Sequence, residues 1–196
     1  IVDEIQSGCG RTGTFFSFEE SGIVPDIVTL SKSISGYGLP LAIVLLKREL
    51  DIWKPGEHNG TFRGNNHAFI TGAAALEHYW PSDNFTAEVQ TKGQYLDERL
   101  LEMRNRFPDE IAEVRGRGMM RGLLLRDPEL AADVTKRAFQ NGLIAERVGP
   151  NDEVVKCMMP LTILRNEMDE GLGILDDALS AIHSRASVNR SPQQVT

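Results

Sequence analysis

Two residues in the first third of the chain, Asp3 and Lys32, have side chains that could act together in one reaction. Asp3 lies between an apolar pair and a glycine-rich loop, and Lys32 follows the apolar run Asp26–Leu30. A lysine amine whose pKa is lowered by desolvation or by a nearby cation can attack a carbonyl, and a carboxylate can keep a ring nitrogen protonated. Singly, each residue has an ordinary explanation, because aspartate caps turns and lysine is usually solvated. The pair favours a site in which both serve one cofactor.

A third candidate is Thr61, which lies in the segment Gly60–Asn66 before a predicted helix. A hydroxyl and backbone N–H groups near the start of a helix suit a phosphate group. The same position also suits a residue that only caps the helix. Both interpretations stay open at this point.

Other catalytic patterns do not occur in the sequence. The four histidines are scattered, and there is no Ser-His-Asp, metal-ligand or Walker-type spacing. The glycine-rich run Arg115–Gly122 does not spell GxGxxG and lacks the strand-then-helix context of a dinucleotide site. The sequence therefore predicts no metal centre and no dinucleotide site.

The elements that must position these residues are three short apolar runs, which predict strands buried on both faces of an α/β sheet. They are a run ending at Ile1-Val2, Asp26–Leu30 and Leu41–Leu46. Open α/β sheets bind ligands at the carboxyl ends of their parallel strands. We therefore expect Asp3, Gln6 and Lys32 to converge at that edge.

Helical spacing of apolar residues predicts four helices, and the pattern restarts after Pro108. The predicted helices are Asn66–Trp80, Asn84–Arg106, Glu129–Asn141 and Asn166–Ser184, and the later strands are predicted within Glu113–Leu125, at Leu143–Ala145 and at Val154–Lys156. We expect residues 1–107 to belong to a large α/β domain and residues 108–185 to form a smaller α+β domain. Residues 186–196 are polar and are predicted to be a flexible tail.

Composition limits the classes of partner. The 196 residues are 41% hydrophobic and 25% charged, which is typical of a globular protein, and the formal net charge of −7 disfavours nucleic acid and anionic membranes. No apolar run approaches the length of a membrane helix. The two cysteines, Cys9 and Cys157, are far apart and favour a reducing cytoplasm. Because the chain opens on Ile1 as if a strand were under way, we expect it to begin inside a longer protein.

Three segments occur in fixed order: IVDEIQSGCGRTG, DIVTLSKSISGYGLPLA and GTFRGNNHAFITGAAAL. Together they resemble the class III aminotransferases of pyridoxal-phosphate fold type I. The separation of Asp3 from Lys32 matches the family pattern, and the resemblance extends to a small-domain segment at Pro160–Ile163. It implies an α/β fold: the carboxyl-terminal part of a large domain with a mainly parallel sheet and helices, followed by a smaller α+β domain.

The resemblance implies that the cofactor is pyridoxal 5'-phosphate (PLP) and assigns a role to each site residue. Lys32 would hold PLP through a Schiff base and carry a proton between substrate and cofactor. Asp3 would pair with the pyridine nitrogen, Ile5 would pack on one ring face, and Gln6 would approach the phenolic oxygen. Thr61 would reach the phosphate of the neighbouring subunit's cofactor, which implies a homodimer or a higher homo-oligomer with shared sites.

The resemblance also implies amino-acid and 2-oxo-acid substrates. Many relatives hold a substrate carboxylate with an arginine before the segment that matches Pro160–Ile163, and Lys156 stands at that position here. A lysine attracts a carboxylate only as a point charge, so Arg63 and Lys156 are both candidate anchors. Two alternatives stay open. The chain could serve a different reaction of the same family, such as that of an aminomutase, or act only as a dimerisation piece.

Overall fold

The computed structural model describes residues 1–61 and 63–190 and divides into two compact units. The first unit comprises residues 1–90, and the second begins at Thr91. The domain boundary expected near residue 107 stays a prediction. Among the described residues, no helix combines the length and apolar character needed to span a bilayer.

The first unit contains a three-stranded sheet in the order β1-β2-β3. The strands are β1 (Val2–Asp3), β2 (Ile27–Leu30) and β3 (Ile43–Leu46), followed by helices α1 (Asn66–Tyr79) and α2 (Asn84–Arg106), of which α2 continues beyond this unit. β1 and β2 are parallel, with Asp3 opposite Thr29, and β3 is antiparallel to β2. The predicted strands and both predicted helices are therefore present.

The expectation that all three strands are buried on both faces is wrong for β3. Val44 and Leu45 of this strand are 53% and 43% exposed. β3 lies at one edge of the described sheet, and the described residues leave part of its surface uncovered. A continuous apolar run indicates a strand without showing how much of it is covered.

The core of the first unit joins the sheet to the loop that follows β1. Its buried members are Cys9, Val28, Leu30 and Ile34, and the partly buried Phe15, Phe16, Phe18, Leu41 and Ile43 pack against them. The ring of Phe15 also contacts Trp80 with the ring centroids 4.9 Å apart, and Trp80 contacts Phe85 at 5.2 Å. Aromatic burial of this kind fixes the loop against the end of α1 and the start of α2.

The second unit contains an antiparallel sheet in the order β4-β5-β7-β6. Its elements are β4 (Ile111–Arg117), β5 (Met120–Leu125), α3 (Pro128–Gln140), β6 (Arg147–Val148), β7 (Val154–Cys157) and α4 (Arg165–Arg190). Helix α3 begins one residue before the predicted Glu129, because Asp127 caps it by accepting the N–H of Glu129 and Pro128 occupies its first turn. Apolar side chains of both helices are buried, among them Val134 and Leu172.

The strand predicted at Leu143–Ala145 is wrong. The backbone N–H of Leu143 bonds to the carbonyl of Ala138, so this segment completes the end of α3 instead of joining the sheet. Ile144 is 82% exposed, and the short strand β6 begins only at Arg147. Three apolar residues in a row were too short a pattern to separate a strand from a helix terminus.

Helix α4 is longer than the sequence indicated. It was predicted to end at Ser184, and it continues to Arg190, into the part expected to be a tail. Residues 191–196 of that tail lie outside the described residues. The sequence did not indicate this extension, because the prediction relied on apolar residues at helical spacing and Ala186–Arg190 is mostly polar. Polar residues can also form a helix.

Candidate functional site

Asp3 stands at the end of β1 with one carboxylate oxygen fixed. Its Oδ1 accepts the backbone N–H of Ile5 at 2.9 Å and the hydroxyl of Thr29 at 3.3 Å. Within the described residues, Oδ2 has no hydrogen bond. The carboxylate is thus oriented by its own strand end and by the neighbouring strand, with one oxygen left for a partner.

Lys32 follows β2, which is the parallel neighbour of β1. Asp3 and Lys32 therefore both lie at the carboxyl ends of this strand pair. Its φ of 53° lies in the left-handed region, which is uncommon for residues other than glycine and often marks functional sites. In the described part of the chain, its Nζ has neither a hydrogen bond nor an ion pair. The side chain is exposed, so the residues of this chain alone do not desolvate its amine. Desolvation was one of the two ways in which the amine was expected to become nucleophilic.

The loop that carries Lys32 is packed tightly against α1 through two glycines. A Cβ added at Gly36, whose φ is 71°, would lie 2.5 Å from the Cβ of Ala75, and one added at Gly72 would lie 2.8 Å from the carbonyl oxygen of Ile34. The buried hydroxyl of Ser35 donates to the carbonyl of Lys32 and accepts the N–H of Gly38. These contacts explain how the unfavourable backbone conformation of Lys32 is maintained.

Ile5 and Gln6 lie directly after Asp3, as the motif predicted. Ile5 is 37% exposed, and Gln6 is half-buried without a side-chain hydrogen bond among the described residues. Sequence reasoning missed Glu4, which is only 1% exposed and accepts hydrogen bonds from three donors. Strand periodicity could not have indicated it, because β1 ends at Asp3 and Ile5 already belongs to a turn.

The cysteines are not candidate nucleophiles. Burial, together with the negative charge of Glu4, raises the pKa of the Cys9 thiol to about 11. Burial alone raises the pKa of the Cys157 thiol to about 12. Since the thiolate is the reactive form, both residues are protonated and inert near neutral pH.

Thr61 and Arg63 lie on the exposed segment before α1. The interpretation of Thr61 as the helix cap is wrong, because Asn65 caps α1 by accepting the N–H groups of His67 at 3.1 Å and Ala68 at 3.2 Å. The Thr61 hydroxyl is not needed for that role. The guanidinium of Arg63 donates to the carbonyl oxygen of His58.

Lys156 lies in the second unit and already has a partner. Its Nζ is 2.7 Å from Oε2 of Glu146, and both residues line a cavity of about 420 Å³. The rest of that cavity is largely apolar, with Met168 and Leu172 in its wall. The positive charge of Lys156 is therefore partly neutralised within its own unit.

Comparison with known protein families gives a match over most of the chain. The family described as aminotransferase class-III matches residues 1–179. The chain is 57% identical to a diaminobutyrate–2-oxoglutarate transaminase of Vibrio parahaemolyticus, over 94% of this chain and 44% of that protein. It is 52% identical to a protein of the same name from Halalkalibacterium halodurans, over 93% of this chain and 42% of that protein. The chain therefore spans less than half the length of these relatives.

Solved structures agree in fold. An N-acetylornithine aminotransferase from Stenotrophomonas maltophilia superposes with a TM-score of 0.78 at 31% identity, over 93% of this chain and 47% of that one. Plasmodium falciparum ornithine delta-aminotransferase gives a TM-score of 0.77 at 27% identity, over 91% of this chain and 46% of that one. The predicted α/β fold of part of a fold type I aminotransferase is thereby confirmed.

Proposed function

Because the chain belongs to the class III aminotransferase family, we propose that it is the carboxyl-terminal part of a PLP-dependent aminotransferase in which Lys32 carries the cofactor. The observation that supports this most strongly is the strand pairing at one sheet edge. It brings the carboxylate of Asp3 and the loop of Lys32 to the ends of two parallel neighbours. The strained backbone of Lys32, and an amine that has no partner among the described residues, are typical of a residue that binds a ligand.

The residues of this chain fit the cofactor's chemical demands. Bound PLP supplies an electron-withdrawing ring that stabilises negative charge at the substrate carbon. Asp3 would keep the pyridine nitrogen protonated through Oδ2, which has no hydrogen bond among the described residues. Ile5 would cover a ring face, and Gln6 would approach the phenolic oxygen. The amine of Lys32 would hold the cofactor and would act as the base toward the substrate carbon.

For the substrates, we propose that the enzyme exchanges an amino group between glutamate and aspartate 4-semialdehyde, giving 2-oxoglutarate and L-2,4-diaminobutyrate, as in ectoine biosynthesis. The support is the name shared by the two relatives at 57% and 52% identity. We favour Arg63 over Lys156 as the carboxylate anchor. Arg63 retains further N–H donors in a bidentate fork, whereas Lys156 is paired with Glu146.

A second candidate is another ω-aminotransferase of the same family, acting on ornithine, acetylornithine or 4-aminobutyrate, or an aminomutase. The support for this second candidate is the structural similarity to aminotransferases named for ornithine and N-acetylornithine. A third is that the chain by itself is an inactive dimerisation piece.

The proposed cellular site is the cytoplasm, supported by two buried free cysteines. Recovery of the protein from a secreted fraction would contradict that location.

The proposed reaction predicts a substrate preference in the intact, PLP-loaded protein that contains this chain. L-2,4-diaminobutyrate and 2-oxoglutarate should yield glutamate with a kcat/KM at least about tenfold above that for ornithine, because one methylene is worth roughly that much in a fitted pocket. Glutamate formation is measured with a coupled dehydrogenase assay for each amino donor. A preference for ornithine, acetylornithine or 4-aminobutyrate would favour the second candidate, and no transfer from any donor would contradict both.

We further propose that the enzyme is a homodimer, or a larger homo-oligomer, in which Thr61 binds the phosphate of the partner's cofactor. Thr61→Ala should then weaken PLP retention, because a hydroxyl donor to the phosphate is lost. Mixing Thr61→Ala subunits with Lys32→Ala subunits should restore activity, since each hybrid dimer has one site free of both changes. Activity is measured after the hybrid is identified by native mass spectrometry, and a hybrid without activity would refute the shared site.

A further inference from the structure

Glu4 lies between two proposed site residues but points to the interior of the first unit. Its side chain is 1% exposed, whereas Ile5 is 37% exposed and Asp3 is also exposed. β1 ends at Asp3, and Ile5 already belongs to a turn, so Glu4 is buried at the point where the strand gives way to the turn. The placement of Glu4 therefore determines how its two neighbours are presented.

The buried carboxylate is held by three donors from the loop that follows β1. Oε1 accepts the Ser17 hydroxyl at 2.5 Å and the backbone N–H of Phe18 at 3.2 Å, and Oε2 accepts the Ser7 hydroxyl at 2.9 Å. The Glu4 N–H donates to the carbonyl of Thr29 at 2.9 Å. A buried carboxylate is tolerated only when it is hydrogen-bonded, so this part of the loop folds around Glu4.

The donors are themselves fixed. The ring of Phe18 stacks on Phe16 with the centroids 5.1 Å apart, within the aromatic packing that also includes Phe15. On the other side, Gly8 donates its N–H to the carbonyl of Glu4, and a Cβ at Gly8 would lie 2.8 Å from that oxygen. The loop therefore encloses Glu4 closely and leaves it little freedom to move.

This enclosure is coupled to Asp3 through the backbone. The N–H that orients the Asp3 carboxylate belongs to Ile5, the residue immediately after Glu4. If the Glu4 side chain lost its anchors, the Ile5 amide would be held less firmly, and the Asp3 carboxylate would keep only the Thr29 hydroxyl as a fixed donor. A misplacement of about 1 Å in a catalytic group can reduce the rate by roughly two orders of magnitude.

We propose that Glu4 is a positioning residue for the PLP site: its buried carboxylate ties the loop of Ser7, Ser17 and Phe18 to the end of β1 and so fixes Asp3 and Ile5 toward the cofactor. This inference rests on the proposed function. It adds a residue that does not touch the cofactor and acts through the orientation of its neighbours.

The test uses the intact, PLP-loaded protein with Glu4→Ala and Glu4→Gln. We expect Glu4→Ala to raise the Kd for PLP and lower kcat/KM by roughly tenfold or more, and to alter the visible circular dichroism band at saturating PLP. Glu4→Gln should restore most of each property, because the amide oxygen can accept from Ser17 and Phe18 while its N–H₂ donates to Ser7. Glu77→Ala, which replaces an exposed glutamate of α1, is the matched control and should be unchanged.

A wild-type Kd and dichroism band in Glu4→Ala would overturn the proposal, even if the melting temperature of the apoprotein fell. Equal impairment of Glu4→Ala and Glu4→Gln would also overturn it. If Glu4→Ala does not fold, Ser17→Ala, which loses one of the three donors, is judged by the same two measurements. Persistence of the cofactor's visible band in Lys32→Ala would instead indicate that the proposed function itself is wrong.

Discussion

Replacement of Lys32 by alanine is expected to abolish the visible absorbance of bound PLP and to reduce turnover by about a thousandfold or more, because one amine serves as both anchor and proton carrier. No other lysine stands at the carboxyl end of the β1–β2 pair in the described part of the chain. The measurements are the visible spectrum of the PLP-loaded protein and steady-state glutamate formation.

The matched control for this change is Lys54→Ala. Lys54 is also exposed and belongs to the same unit, and no side-chain partner of it occurs among the described residues. Its replacement removes the same charge without touching the sheet edge. Wild-type absorbance and turnover in Lys32→Ala, or an equal loss in Lys54→Ala, would contradict the role of Lys32.

Asp3→Asn is expected to leave PLP bound but to slow transamination by roughly a hundredfold or more, because a neutral amide cannot keep the pyridine nitrogen protonated. The amide is nearly the same size, and its oxygen can still accept from Ile5 and Thr29. The fold should therefore survive. Bound PLP is measured spectroscopically, and the rate of the half-reaction with glutamate is measured by stopped flow.

Asp26→Asn is the control for Asp3→Asn. Asp26 precedes β2 and pairs with Lys47 on the surface, where a hydrogen bond from Lys47 lowers the pKa of the Asp26 carboxyl. Breaking an exposed pair has little effect on stability, and this pair lies outside the proposed site. Near-normal turnover in Asp3→Asn, or a comparable loss in Asp26→Asn, would show that the Asp3 assignment is wrong.

The sequence predicted those parts of the fold that depend on local pattern. Helix α2 begins at Asn84 and ends at Arg106, as its apolar spacing indicated, and α1 begins at Asn66. The location of Asp3 and Lys32 at the same edge of the sheet could also be predicted from the sequence. Each residue follows an apolar run, and neighbouring parallel strands have their carboxyl ends at one edge. The family motif then supplied roles for the residues at that edge.

Features that depend on distant residues could not be predicted in the same way. The donors to Glu4 include Ser17 and Phe18, and nothing in the motif shows that the loop returns to the strand end. The pairing of Lys156 with Glu146 likewise arises from the approach of two segments that sequence spacing does not relate. Sheet pairing and loop closure set these contacts, and single-sequence periodicity does not record them.

The most direct test of the central claim is to locate the lysine that carries PLP. The intact, PLP-loaded protein is reduced with borohydride, which converts the lysine–cofactor linkage into a stable secondary amine, and it is then digested and mapped by mass spectrometry. We predict the pyridoxyl group on the peptide that contains Lys32. An adduct found only on Lys47, Lys54 or another lysine would contradict the account.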